Sequence, residues 1–166
     1  MAKRKVFYSF HYIPDNWRVS QVRNIGQIED NKPATDNDWE TIKRGKDIAI
    51  KKWIADQMKG RTCTVVLVGK DTANRKWIKH EIVKSWGDGK GVVGIHIHKL
   101  KDNNGDQAEK GSNPFEYFTV GEDKKKLSSI VKCYNPPYPI STHVYDHIKE
   151  NLADWIEEAI KIRNDF

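Results

Sequence analysis

Long apolar runs are missing from this sequence: no stretch approaches the roughly 20 residues that cross a bilayer. The charged opening Met-Ala-Lys-Arg-Lys leads straight into a short strand-like run and not into the apolar core of a secretory leader, so a soluble, cytoplasmic protein is expected. Cysteine is equally scarce. Cys63 and Cys133 both fall in strand-like segments, where they are expected as reduced core thiols, and two cysteines make no disulfide framework. A phosphate-cradling glycine loop is also absent. Gly87, Gly89 and Gly91 follow a helix and precede a strand, whereas phosphate cradles follow a strand and open a helix, so these glycines read as a connection. The lysines and arginines behind a net charge of +6 are spread over most segments with no nucleic-acid motif among them, which reads as a solvated surface without direct nucleic-acid recognition. His96 and His98 share one face at period two, but no third ligand is evident and no metal site is expected; either histidine, near a strand end, can still touch a ligand.

What the chain does hold is a regular alternation of strands and helices. Its 166 residues suit one domain, and a domain of that size buries about 70% of its unfolded-chain surface. The first strand is placed at Arg4 to Phe10, apolar at nearly every position and therefore buried on both faces, with Ser9, Phe10 and His11 opening into a crevice. Asp15 is expected to cap a short helix starting near Asn16 with Trp17, Val19 and Val22 inward, and Val22 to Ile28 is the candidate second strand. Gln27 to Trp39 is a polar, turn-rich loop, and a helix follows from Glu40 to Lys59, stopped by Gly60.

Further strands are placed at Thr62 to Val68 and Val92 to His98, around a helix from Asn74 to Trp86. Lys99 to Gly111 reads as a flexible surface loop. The aromatic segment Asn113 to Phe118 either rims a pocket or plugs the sheet edge. Leu127 to Tyr134 reads as the last strand and Pro136, Pro137 and Pro139 as an extended link. The last helix carries Val144, Ile148, Leu152, Trp155, Ile156, Ala159 and Ile160 on one stripe and acidic residues opposite. Alternation of this kind predicts an α/β fold with a doubly wound, mainly parallel sheet and helices on both faces.

The most informative stretch runs from Val65 to Trp86, a strand, a Gly/Asp/Thr break and a helix. With Ile78, Ile82, Ser85 and Trp86 facing the core, Glu81 falls at the edge of the buried stripe, one turn beyond Trp77. A carboxylate there is partly desolvated and can face the carboxyl end of the sheet, where open α/β sheets bind ligands. Desolvation strengthens its attraction for a nearby cation, which suits a positively charged transition state. The plainer alternative is a helix-edge glutamate paired with Arg75, Lys84 or solvent.

The run Gly-Lys-Asp-Thr-Ala-Asn-Arg-Lys-Trp-Ile-Lys-His-Glu-Ile resembles the segment of TIR and TIR-like domains in which a loop with a small hydroxyl residue precedes Trp-x-x-x-Glu. The opening Lys-Val-Phe-Tyr-Ser-Phe-His-Tyr is similar to the TIR first strand. Together with Gly-Val-Val-Gly-Ile-His-Ile, these motifs resemble stand-alone bacterial TIR-like proteins, including the TIR component of the Thoeris antiphage system. The resemblance implies a flavodoxin-like fold over nearly the whole chain.

It also implies an enzyme of the NAD glycohydrolase or ADP-ribosyl cyclase type. NAD is then the substrate, no resident cofactor is needed, and the product is a cyclic ADP-ribose-type signal read by a separate effector protein. Self-assembly or a phage-derived trigger is the implied means of activation. Glu81 becomes the catalytic residue, and Ser9, Phe10, His11, Trp77 and Trp39 the candidate substrate contacts. The loop after the first helix lacks the Arg-Asp-x-x-Pro-Gly run of receptor-type TIR domains, which argues against adaptor-style assembly. Two other functions suit the same fold: a non-catalytic interaction module, and an N-glycosidase acting on nucleosides or nucleotides.

Overall fold

The structure is a computed structural model that describes residues 4–25, 29–30 and 47–166. Its center is a five-stranded sheet. The strands are β1 (Lys5–Ser9), β2 (Glu29–Asp30), β3 (Cys63–Val68), β4 (Gly91–His96) and β7 (Cys133–Tyr134), and all neighbouring pairs are parallel. The order β2-β1-β3-β4-β7 is that of flavodoxin-like sheets, with the chain reversing its direction of winding between β1 and β3. A separate two-stranded ribbon pairs β5 (Thr119–Val120) with β6 (Lys125–Lys126) antiparallel.

Helices cover both faces, as the alternation predicts. Residues Val6, Tyr8, Val65, Leu67, Val93 and Ile95 point to one face, against α1 (Tyr12–Arg23) and α4 (Ser141–Asn164). The alternate residues point to the other face, against α2 (Asp47–Met58), α3 (Lys76–Gly87) and the segment around Phe115. The expected apolar stripe of α4 packs as drawn, with Ile148, Leu152 and Ile156 fully buried. Its contact with the sheet is close because Gly91 has no side chain: a Cβ there would lie 2.8 Å from the Ile160 amide nitrogen. Gly91 is thus the first residue of β4 and not merely part of a link.

Several boundaries differ from expectation. The first helix begins at Tyr12, with His11 as its N-cap, so Asp15 lies inside the first turn and does not cap it. Pro14 is compatible with that early start, because first-turn amides have no intrahelical partner to lose. The helix runs to Arg23, so Val22 is helical and β2 is Glu29–Asp30. Periodicity then sets Asp15, Arg18, Val19 and Val22 on the buried stripe and leaves Trp17 54% exposed, the reverse of its expected inward role.

Leu127–Ser129 is a 3-10 turn, and only Cys133–Tyr134 of the expected last strand pairs. Phe115, in the 3-10 turn Pro114–Tyr117, is fully buried against Val66, Val92 and Val131, so the aromatic segment plugs the sheet face. The excursion after β4 is a loop, but an internally bonded one: Asp102 Oδ1 accepts from the amides of Asn104 and Asp106, and Gln107 donates to the carbonyls of Lys99 and Pro139. The expected loop Gln27 to Trp39 falls largely, and the first turns of the helix after Glu40 wholly, outside the described residues. Cys63 and Cys133 are free thiols, and no described helix is long and apolar enough to cross a membrane.

Candidate active site

Strand alternation sends Phe7 and Ser9 to the α2/α3 face of the sheet, and Ser9 is the last residue of β1. It therefore stands at the carboxyl end of the sheet, beside the point between β1 and β3 where the winding reverses and open α/β sheets take their ligands. On α3, Ile78, Glu81, Ile82 and Ser85 form the buried stripe, so the carboxylate that the sequence sets at the stripe's edge is turned inward. Ser9 Oγ donates a hydrogen bond to Glu81 Oε2. Both groups are nearly closed off, Ser9 at 1% and Glu81 at 8% exposure. The helix is locked against β3 by a second hydroxyl contact, Thr64 Oγ1 to Ser85 Oγ at 2.6 Å.

Among the described residues Glu81 has no salt bridge; Lys84 pairs instead with Asp88, at 2.9 Å. Burial drives the Glu81 carboxyl up to about 8, and the Ser9 hydrogen bond only partly opposes it. Glu81 is therefore mostly protonated at neutral pH, and among the described residues its hydrogen-bond partner is the Ser9 hydroxyl. Such a group has a large latent affinity for positive charge brought beside it, because the attraction acts through a poorly screened interior.

The other sequence-predicted residues scatter around this pair. Trp77 is half-buried one turn before Glu81; it packs against the Phe7, Ile50, Ile54 and Met58 cluster, with the Lys76 ammonium 4.8 Å from its ring and His80 edge-on at 5.5 Å. Phe10 is half-buried on the opposite face of the sheet from Ser9, against the α1/α4 cluster. His11 caps α1, its carbonyl accepting from the Asp15 amide at 3.2 Å. Trp39 lies outside the described residues. His96 and His98 are both buried at the carboxyl end of β4, rings edge-on at 5.8 Å, and among the described residues the Nδ1 atom of each has no hydrogen-bond partner. Burial, reinforced by Lys110, drives His96 down to about 4, so it is neutral. Among the described residues no group of histidine, cysteine and carboxylate side chains is arranged to hold a metal.

Sequence reasoning missed Asp15 and Arg18. Asp15 is 3% exposed and lies against Gly69, just past the end of β3, where a Cβ would overlap its carboxylate. Thr72 Oγ1 donates to Asp15 Oδ2 at 3.4 Å and accepts from the Gly69 amide at 2.8 Å. Arg18, 5% exposed, stands 3.8 Å from Asp15 and donates to the carbonyls of Leu100 and Asp106. Burial raises the Asp15 carboxyl to about 6, with Arg18 and Thr72 opposing. The available signal was the spacing of Asp15, Arg18, Val19 and Val22, an i, i+3, i+4, i+7 pattern that sets two charged residues on a buried stripe.

Comparison with known proteins agrees with this architecture. Residues 7–102, from β1 to just past β4, match the family described as "Thoeris protein ThsB, TIR-like domain". A protein of Bacillus cereus (strain MSX-D12) named "Putative cyclic ADP-D-ribose synthase ThsB1" is 40% identical over 134 residues, covering 76% of this chain and 69% of that relative. The matched region contains the whole of the Ser9–Glu81 pair and the elements that position it. The chain belongs to the ThsB TIR-like domain family of Thoeris proteins.

Proposed function

We propose that this protein is a TIR-type enzyme that cleaves the nicotinamide–ribose bond of NAD and makes a cyclic ADP-ribose-type signal for a separate effector in antiphage defence. The observation that carries the reading is the buried Glu81 carboxyl, hydrogen-bonded to Ser9 at the carboxyl end of the sheet. The name of the Bacillus cereus relative supports the same chemistry.

In NAD the nicotinamide is already a pyridinium cation, so its departure needs no acid to protonate the leaving group. What the reaction needs is stabilisation of the oxocarbenium-like charge that forms on the ribose, and a fixed carboxylate in a dry site supplies it. The pyridinium also favours the ionised form of Glu81, so substrate binding itself converts the resting acid into the working base form. The Ser9 hydroxyl, a donor in either state, holds the carboxylate in place during that change. Attack on the ribose by water gives ADP-ribose, and attack by a group of the same molecule gives a cyclic product; exclusion of water favours the second.

The test is mass spectrometry of extracts from cells expressing the wild type or Glu81→Gln, before and after phage challenge. An ADP-ribose isomer formed only by the wild type is the expected result. Equal product from both proteins removes Glu81 from catalysis, and no product from a folded wild type under challenge favours the interaction-module alternative.

A further inference from the structure

We propose that Asp15 is a positioning residue for Glu81, acting through Thr72 to fix the loop that launches α3. The inference rests on the reading of Glu81 as the catalytic carboxylate. Three loops leave the carboxyl end of the sheet near the site, and the Asp15–Arg18 pair touches all of them. Asp15 itself stands in the first turn after β1. Its carboxylate packs on Gly69 and accepts from Thr72, in the loop after β3. Arg18 reaches the loop after β4 through the carbonyls of Leu100 and Asp106, at 2.8 and 2.9 Å.

The division of labour is visible in the distances. Arg18 spends its short bonds on the far loop and stays 3.8 Å from Asp15, longer than the roughly 2.7–2.9 Å of a tight charge-assisted bond. Asp15 is left to serve the near loop. There Thr72, fully buried, accepts from the Gly69 amide at 2.8 Å and donates a longer bond to Asp15 at 3.4 Å, while its own carbonyl accepts from the Arg75 amide at 3.2 Å. Arg75 is the N-cap of α3, so the bonded path runs from Asp15 through Thr72 to the first turn of the helix that carries Glu81.

Close packing leaves the loop little room to adjust. Gly69 has no space for a Cβ on the Asp15 side, and Gly111, from the excursion after β4, lies so near the Gly69 carbonyl that a Cβ there would overlap it. A buried carboxylate is an expensive way to fill space, and an apolar side chain would pack this position at lower cost. What the carboxylate adds is direction: it orients one hydroxyl, and that hydroxyl closes the turn.

The experiment uses three full-length variants, Thr72→Val, Thr72→Ser and Asp15→Leu, with Glu81→Gln as the reference for lost chemistry. A displacement of the catalytic group by about 1 Å lowers the rate on the order of 100-fold, so Thr72→Val should lower kcat by about 10- to 100-fold. KM for NAD should stay within about threefold in that variant, because a lost interaction confined to the transition state leaves substrate binding intact. Thr72→Ser, which keeps the hydroxyl, should recover most of kcat, and Asp15→Leu, which removes the acceptor, should resemble Thr72→Val.

Amide hydrogen exchange of residues 70–80 provides a readout that needs no turnover: exchange should quicken in Thr72→Val and return toward wild type in Thr72→Ser. Unchanged kcat and unchanged exchange in Thr72→Val overturn the proposal. So does cooperative unfolding lost in both Thr72→Val and Asp15→Leu, which would make the network a stability element alone. Exchange that responds as expected while the wild type and Glu81→Gln are equally active would sustain the loop geometry and sink the catalytic reading of Glu81 instead.

Discussion

Replacing Glu81 with glutamine should abolish turnover and, above neutral pH, make the protein more stable. Burial raises the Glu81 carboxyl from 4.5 to about 8, so the folded state holds that proton more tightly than the unfolded chain does. Stability from this group is therefore present in full below the unfolded value, falls as pH rises through the interval, and levels off above about 8. At roughly 1.4 kcal/mol per pH unit, the loss is on the order of 3 kcal/mol at neutral pH and approaches roughly 5 kcal/mol beyond the folded-state value. Glutamine keeps an acceptor for the Ser9 hydroxyl and has nothing to ionise, so it escapes the loss.

Urea unfolding of both proteins at about pH 5 and about pH 8.5 isolates the effect, since every other titrating group is common to the two. The variant should gain on the wild type by roughly 2–4 kcal/mol between those conditions. A difference constant to within about 0.5 kcal/mol would mean that Glu81 ionises in the folded protein as easily as in water, and the desolvated site would be refuted.

The same carboxyl should govern the rate. With the anion as the working form, kcat/KM for NAD should climb about tenfold per pH unit below the free-enzyme value near 8 and flatten above it, while the limb in kcat lies at lower pH because bound pyridinium favours the carboxylate; a flat profile in stopped assays would contradict this. Two glycines offer a contrast in packing. Gly91→Ala drives a methyl into the backbone of α4 and should destabilise by roughly 1–3 kcal/mol in thermal unfolding, whereas Gly87→Ala, helical and open on all sides, should stabilise by roughly 0.5–1 kcal/mol.

The sequence carried the α/β alternation and the parallel sheet because each rests on a local period; periodicity set Glu81 only at the edge of the buried stripe, and its catalytic reading came from the resemblance. Ile78, Glu81, Ile82 and Ser85 repeat at helical spacing, and the β-branched runs of β3 and β4 are continuous, as buried parallel strands require. Asp15 departs from its expected role because a lone aspartate before a helix is a good cap in isolation; its burial is offset by Arg18, one turn on, and by Thr72, from a loop more than fifty residues away that packs Gly69 against it. The last strand shrank to Cys133–Tyr134 for a related reason: Leu127 and Val131 are apolar enough for a strand, but they are used to cover Val66 and Val92 beside Phe115. The order of the excursion after β4 was likewise hidden, since its Asp/Asn/Gly composition is that of a loose loop and its anchor, Arg18, belongs to another element.

Glu81 and Asp15 express one design in two degrees. Both are carboxyl groups taken out of water at the carboxyl end of the sheet, and burial raises both. Desolvation is the main cause in each: Asp15 rises to about 6 with Arg18 at 3.8 Å and the Thr72 hydroxyl opposing, and Glu81 rises to about 8 with, among the described residues, the Ser9 hydroxyl opposing. The difference suits the roles proposed for the two groups. A group that only holds a loop benefits from a resident cation, which keeps its charge and geometry constant. A group that must stabilise a transient cation is better left without one, because a resident partner would already have satisfied it and would compete with the substrate. On the proposed reading, Glu81 pairs with no cation among the described residues and a positively charged substrate supplies the counter-ion, so that part of the free energy lost to desolvation is recovered when that charge arrives.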